Sequence, residues 1–433
     1  MTLRLAMFVN WNEGARHSFA AFIGCCPMEL TKPKALSFSL DRTTSIWIVS
    51  AAIGATFMAS TLVTPLYVIY EARFDFSRIV LTLIYAVYII GNLIALLSLG
   101  RLSDVIGRRI VSLAAILLAG ASALVFLFAA STACLFAARA VSGLSVGLAV
   151  GAGTAWMTEL DPKRSRARAS LLATSGNFCG LTVGALLSGT LAQFIAFPLE
   201  LPFLVYLALL LALGVLINSI EETVPNRRPL AEVDWRPRIA LPRSLRVDFI
   251  APAITVFGAM AMIGYYAALL PSILADNLGE TSHFIAGGVV AILTTIVAIT
   301  IPSSRRLASR PAMLSGLALM LPSLALIALA QANSSMPALL AGTVVGGIST
   351  ALGYRGSLQL INEIAPADRR AEVLSLYFLA GFAGNGLPVI AVGILSTIWT
   401  PLAAGLVFAA CIGLFSLLAL VIAGRNLRRG AMA

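Results

Sequence analysis

This chain is short of charge. Asp, Glu, Lys and Arg make up 11% of its 433 residues, less than half the share of an ordinary soluble domain. Charged side chains are almost never buried unless paired, so a water-soluble fold of this size could not cover its surface with so few. A soluble enzyme is excluded. Histidine is scarcer: His17 and His283 are the only two, far apart and outside the apolar runs, which argues against a His-ligated metal. Cys25, Cys26, Cys134, Cys179 and Cys411 form no CxxC pair and suit small core residues better than a disulfide or metal framework. No GxxxxGK[ST] occurs, so the chain has no phosphate-cradling loop of its own.

What the chain has is apolar length. Hydrophobic residues make up 59% of it and mean hydropathy is +0.94. A helix needs roughly 20 apolar residues to cross a bilayer. Twelve such segments are predicted, at about 45–70, 79–99, 110–130, 134–157, 170–194 and 200–219, then 249–271, 284–302, 312–330, 337–360, 372–394 and 400–424. The one long polar connection, Glu221 to Val247, is Pro- and Arg-rich and lies near mid-chain. The predicted class is therefore an all-α integral membrane protein. It has a cytoplasmic tail (1–44), a six-helix half (45–220), a cytoplasmic linker (221–247), a second six-helix half (248–424) and a cytoplasmic tail (425–433). Residues 1–40 lack the features of a signal peptide. They are expected to be disordered or to lie at the interface, with Met28 an alternative start.

The net charge of +11 would suggest nucleic acid on a soluble chain. Here it reports sidedness. With the N-terminus in the cytoplasm, 26 of the 30 basic residues fall in the tails and inner loops, and only Arg73 and Arg78 lie in outer ones. That asymmetry fixes twelve spans with both termini inside, and no nucleic acid is needed as a partner. Arg heavily outnumbers Lys, which fits a GC-rich bacterial genome and hence a bacterial inner membrane. Two basic residues remain inside spans, Arg139 and Arg355.

The halves repeat. A shift of 204 residues aligns Glu159-Leu-Asp-Pro162 with Glu363-Ile-Ala-Pro366, and Arg166-Ala167 with Arg370-Ala371. It also aligns Gly143, Gly180 and Gly189 with Gly347, Gly384 and Gly393. Duplicated halves joined by a linker are a transporter architecture, with the substrate site between them near the midplane.

The loop between spans 2 and 3 reads Gly100-Arg-Leu-Ser-Asp104-Val-Ile-Gly107-Arg108-Arg109. It resembles the signature loop of the major facilitator superfamily, G-x-L-[A/S]-D-x-x-G-R-[R/K], in order, spacing and place. The resemblance covers the chain from about residue 45 to its end and implies that fold. It further implies that Gly100, Asp104, Gly107, Arg108 and Arg109 latch the cytoplasmic ends of the halves while the protein faces outward. The bland alternative makes the arginines simple inside-positive charges, which leaves Asp104 and both glycines unexplained. The matching loop, Ser303 to Arg310, keeps bases but lacks the Asp and glycines, so any latch is one-sided.

On span 4, Arg139-Ala-Val-Ser-Gly143 resembles the superfamily's R-x-x-x-G pattern, associated with proton coupling. An arginine inside a span is functional by default, but Arg139 lies near the outer end, where snorkelling is the alternative. Span 5, Gly176-Asn-Phe-Cys-Gly180-Leu-Thr-Val-Gly184, partly resembles the glycine-rich motif of exporters, with Leu181 where those carry Pro. Helix packing explains the glycines equally well. Thr64-Pro65-Leu-Tyr67 resembles a pattern of small-molecule efflux members, and Pro65 there would loosen an outer gate.

Arg355 lies eight residues before Glu363, about 12 Å along a helix. It is expected to be too deep for an interfacial charge, with no acid one turn away, so that its partners are hydroxyls, amides, carbonyls, water or a substrate anion, with a role towards substrate favoured over structural glue. Tyr354, Gln359, Asn177 and Asn385 could share its cavity, and Tyr265 and Tyr266 could form an aromatic wall. Each alone also reads as packing or an interhelical hydrogen bond. All nineteen acids fall in tails, loops or helix ends, so a proton carrier at mid-membrane is lacking and coupling rests on the resemblance.

The resemblance implies a transporter, not an enzyme, that moves a small organic molecule by alternating access. Export is expected, in exchange for protons. A facilitator or importer of an anionic or polar metabolite is the alternative, and a non-transporting receptor or scaffold is the third. No cofactor or metal is expected. The expected partners are substrate, protons and the bilayer, around a monomer.

Overall fold

A computed structural model of the chain describes residues 40–225, 229 and 240–432, with side chains up to residue 424. The expectations for residues 1–39, for most of the linker and for the C-terminal tail's side chains lie outside the described residues. The rest is helical, with no strand among the described residues. In hydrocarbon every backbone N–H and C=O must bond within its own segment, and a helix achieves this.

Among the described residues, twelve helices are long and apolar enough to cross a membrane. They are α1 (Arg42–Phe74), α2 (Arg78–Ser98), α3 (Arg108–Leu127), α4 (Thr132–Leu160), α5 (Arg166–Phe194) and α6 (Leu201–Asn218), then α7 (Arg243–Leu278), α8 (His283–Arg306), α9 (Ser309–Ala332), α10 (Met336–Ile364), α11 (Arg370–Ile398) and α12 (Pro401–Gly424). The odd-numbered helices start on one face, which carries the Arg-rich loops and is called the basic face below. The other is the opposite face. α1 is interrupted by a 3-10 turn at Thr64–Leu66, because Pro65 has no N–H to continue the ladder.

The repeat is visible in how deeply each helix is buried. α1 and α7 bury 83% and 78% of their apolar windows, α4 and α10 56% each, and α6 and α12 33% and 28%. Partners related by the 204-residue shift thus take the same layer. The halves meet mainly through two helix pairs that the same shift exchanges, α5 with α8 and α2 with α11. Close approach explains the glycines there. A Cβ on Gly189 of α5 would stand 2.7 Å from the His283 carbonyl oxygen of α8, and one on Gly393 of α11 would stand 2.7 Å from Cγ2 of Thr82 on α2.

Candidate functional site

Among the described residues, the polar contacts that cross between the halves lie midway along the helices and towards the opposite face. At the rim, Arg78 at the start of α2 is ion-paired with Asp276 near the end of α7. Gln193 Oε1 of α5 accepts from the Ser282 hydroxyl at 3.2 Å and the His283 amide at 3.0 Å. His283 Nδ1 stands 3.1 Å from the Pro65 carbonyl oxygen, which the α1 break turns outward. Below, the Thr64 hydroxyl donates to the Ala267 carbonyl at 2.7 Å, the Tyr85 hydroxyl to Asn385 Oδ1 at 2.7 Å, and Thr182 meets Thr294 at 2.8 Å. These contacts tie the halves together along the opposite face.

Beneath these contacts lies Arg139. It is 0% exposed, so it does not snorkel. Its Nε donates to the Tyr67 hydroxyl at 2.9 Å, and Nη2 to the Ser60 carbonyl at 3.1 Å and to Tyr67 again. The guanidinium lies over the rings of Tyr67, Tyr85 and Tyr88, at 5.4, 5.8 and 5.9 Å from their centroids. Such contacts are worth about 0.5–2 kcal/mol each. No carboxylate pairs with it among the described residues, and two buried polar atoms of the nest, Arg139 Nη1 and Ser60 Oγ, have no partner. The sequence placed Tyr67 in an efflux-type pattern but left Tyr85 and Tyr88 unmarked. Their signal was available: Tyr85 and Tyr88 stand three apart on one helix and so share a face, and Tyr67 follows the Pro65 break.

Arg355, by contrast, stands at the basic face. Its Nη2 donates to the carbonyls of Arg305 (3.2 Å) and Leu307 (2.7 Å) and to Gln359 Oε1 (3.2 Å), and its Nη1 approaches Ser304 Oγ at 3.4 Å. The expected depth is corrected here. α10 has 29 residues and overruns the shorter α8–α9 hairpin, so residue 355 is level with that hairpin's loop and holds its free carbonyls.

The other candidates do not gather around Arg355. Gln359 bonds it but is exposed. Tyr354 packs at the junction of the halves, with Phe178 and Leu181 of α5, Ile263 of α7 and Val297 of α8. Asn177 is half-buried, and its Oδ1 has no partner. Asn385 is buried and receives Tyr85, which ties it to the Arg139 nest. Tyr265 stacks on Phe408 at 4.3 Å, its hydroxyl buried without a partner. Tyr266 shares a 2.7 Å hydrogen bond with Thr343. The Thr343 hydroxyl gives its proton to the Leu339 carbonyl at 2.7 Å, so Tyr266 is the donor to it.

The basic-face loop forms a compact cluster in the first half. Asp104, on the short helix Leu102–Ile106, pairs with Arg108 at 2.5 Å. Arg108 also reaches Glu159 Oε1 of α4 at 2.8 Å and Ser103 Oγ at 2.7 Å. Glu159 further accepts from Thr223. Gly107 sits at φ 112°, which only glycine adopts readily. The turn it makes presents the Arg108 and Arg109 amides to the Glu222 carboxylate at 3.0 and 3.2 Å, where the helix dipole favours a negative charge. Arg109 Nη1 donates to the Asn218 carbonyl at the end of α6, at 3.1 Å. Gly100 lies beside Gly151 of α4. These contacts of Asp104, Arg108 and Arg109 stay within the first half and the start of the linker.

Comparison with known proteins agrees with this architecture. The family model described as Major Facilitator Superfamily matches residues 49–332. The chain is 27% identical over 241 residues to the class C tetracycline resistance protein of Escherichia coli, covering 54% of this chain and 60% of that one. It is 35% identical over 101 residues to the 4-hydroxybenzoate transporter PcaK of Pseudomonas aeruginosa, covering 23% of this chain and 22% of that one. The chain thus aligns with less than two thirds of either relative's length. Among solved structures, it superposes on a bacterial homologue of the human lysosomal transporter Spinster in an inward-facing, unoccupied conformation. The TM-score is 0.65 at 14% identity, over 88% of this chain and 95% of that one.

Proposed function

The chain belongs to the Major Facilitator Superfamily, and we propose that it moves a small organic anion with an aromatic or apolar body across a bacterial inner membrane by alternating access, as a monomer. The observation that carries this is Arg139: a guanidinium 0% exposed, held by tyrosines and a carbonyl, with Nη1 unpartnered and no carboxylate beside it. A buried charge without a counter-charge costs several kcal/mol and is kept for function. Nη1 and the Ser60 hydroxyl are donors suited to a carboxylate, and the rings of Tyr67, Tyr85 and Tyr88 suit a flat apolar body. That two relatives are named for tetracycline and for 4-hydroxybenzoate, an aromatic carboxylate, supports the class.

With the basic face in the cytoplasm, the present arrangement is inward-facing, because the seal lies on the opposite face. Parting Arg78 from Asp276, His283 from Pro65 and Tyr85 from Asn385 would open Arg139 to the outside. Asp104, half-exposed at the inner face, would then take a partner from the second half. Asn177, Tyr354, Asn385, Tyr265 and Tyr266 would line the path between the halves, while Arg355 and Gln359 hold the α8–α9 loop.

Net movement is outward, in exchange for protons. The α5 glycines and the Thr64–Pro65–Tyr67 break support export. Glu71, in electrostatic reach of Arg78 and Asp276, supplies a carboxylate at the outer seal where a proton could enter. The test is flux in proteoliposomes. Benzoate-type acids should be carried and their methyl esters not, faster with a proton gradient opposed to substrate flow. Equal carriage of acid and ester would overturn the anion reading, and indifference to the gradient would remove the coupling.

A further inference from the structure

The protein already binds a phenol where its halves meet, and the phenol is its own. Tyr85 of α2 lies with its ring centroid 5.8 Å from the Arg139 guanidinium carbon. Its hydroxyl donates to Oδ1 of Asn385 on α11 at 2.7 Å. Arg139 in the first half and Asn385 in the second thus stand one tyrosine apart. Both ends of this bond are buried, Tyr85 at 2% and Asn385 at 6% exposure. The amide is held in place by a close approach of α7: a Cβ on Gly264 would stand 2.3 Å from the Asn385 carbonyl oxygen and 3.0 Å from its Oδ1.

Packing does not require this contact to be polar. The 204-residue shift carries Tyr85 to Val289 on α8 and Asn385 to Leu181 on α5, both buried. The equivalent place on the other seam is therefore hydrocarbon. The hydroxyls that do cross there, Thr182 and Thr294, also reach carbonyls of their own helices, Phe178 at 2.9 Å and Val290 at 3.1 Å, and lose little when the seam parts. Asn385 has no such fallback. Its one side-chain hydrogen bond among the described residues is the one from Tyr85, so once Tyr85 leaves, a buried amide stands unpaired, which is costly.

We propose that Asn385 reads a phenolic hydroxyl on the substrate, so that the site takes hydroxylated aromatic acids ahead of unsubstituted ones. This rests on Arg139 holding the substrate carboxylate. The far hydroxyl of the substrate then donates to Asn385 Oδ1 in place of the Tyr85 hydroxyl, which turns to water in the opened path. One phenol replaces another, so the amide stays paired while the Tyr85 tie between the halves is cut. Binding is thereby linked to the parting of the seam. A ring that carries hydrogen or methyl at that position leaves Asn385 unpaired, and a site built to bond a hydroxyl rejects the analogue that lacks it.

The experiment is uptake by the full chain in proteoliposomes of 4-hydroxyphenylacetate and 4-methylphenylacetate, whose methyl group matches the hydroxyl in size. KM should be at least about tenfold lower for the hydroxy acid, the scale of one buried hydrogen bond. In Asn385→Leu, which copies the repeat partner, that ratio should fall to about one. In Tyr85→Phe the competing phenol is gone, so KM should fall for both acids with the ratio kept. Equal KM values in the unaltered chain, a ratio that survives Asn385→Leu, or a raised KM in Tyr85→Phe would each overturn the subsite and leave Arg139 as the carboxylate site. If neither acid is carried, the reading of Arg139 fails and the subsite with it. If a variant does not fold, the pair of acids on the unaltered chain decides alone.

Discussion

At one repeat position the two halves hold different chemistry. Residue 139 on α4 is an arginine, and residue 343, 204 positions on, is a threonine on α10. Thr343 is settled: it donates to Leu339 and receives Tyr266, so a buried hydroxyl pair closes on itself. Arg139 is not settled, since Nη1 has no hydrogen-bond partner and no acid among the described residues pairs with the group. The same fold and nearly the same burial thus give a finished packing contact in one half and a charge awaiting a partner in the other. Duplication supplies two equivalent places, and the proposed site is the one where satisfaction is left incomplete.

The basic face shows the reverse asymmetry. The first half ties its α2–α3 loop with the Asp104–Arg108–Glu159 network. The second lacks that Asp and its glycines, and Arg355 ties the α8–α9 loop instead, through main-chain carbonyls. The repeat partner of Arg355 is Gly151, which faces Gly100 across a close helix contact. One half solves the loop with small residues and an ion pair, the other with a long side chain.

The sharpest way to break the first comparison is Arg139→Gln. Uptake of an aromatic acid into proteoliposomes should fall about 100-fold, the worth of a 2–3 kcal/mol charge-assisted contact, with the protein still in the membrane. Wild-type flux would make Arg139 and Thr343 equivalent after all. Next is Asp104→Asn, expected to slow turnover roughly tenfold and to leave the inward-facing population larger. Unchanged cysteine accessibility on both faces would count against a latch. Thr343→Val leaves the Tyr266 hydroxyl without its acceptor and should destabilise the protein by about 1–3 kcal/mol, while flux stays within a few-fold. A flux loss matching that of Arg139→Gln would show that both positions handle substrate. The smallest effect is expected for Arg355→Ala, a loss of about 1–2 kcal/mol from the loop with flux within about threefold. Abolished transport with unchanged melting would return Arg355 to the substrate path.

The number of spans, the gathering of the basic loops on one face, the internal repeat and the signature loop were legible because each is a local or periodic property. Apolar length reports a crossing, loop arginines report a face, and Gly107 declares its turn wherever the chain goes. Which arginine is buried and which holds a loop was not legible in the same way. Depth counted along α10 misplaced Arg355, because depth depends on where the neighbouring helices end, and α8 and α9 end sooner.

The sequence by itself thus determined a twelve-helix, two-half membrane protein with its basic loops on one side, since hydrocarbon and interface impose those patterns residue by residue. Only the tertiary structure decided that Tyr67, Tyr85 and Tyr88 close round Arg139, that Asn385 reaches this nest from the other half, and that the halves are tied along the opposite face. Those facts depend on the rotation and offset of helices 50 to 300 residues apart in sequence, and side chains from different helices meet there only once the helices have packed.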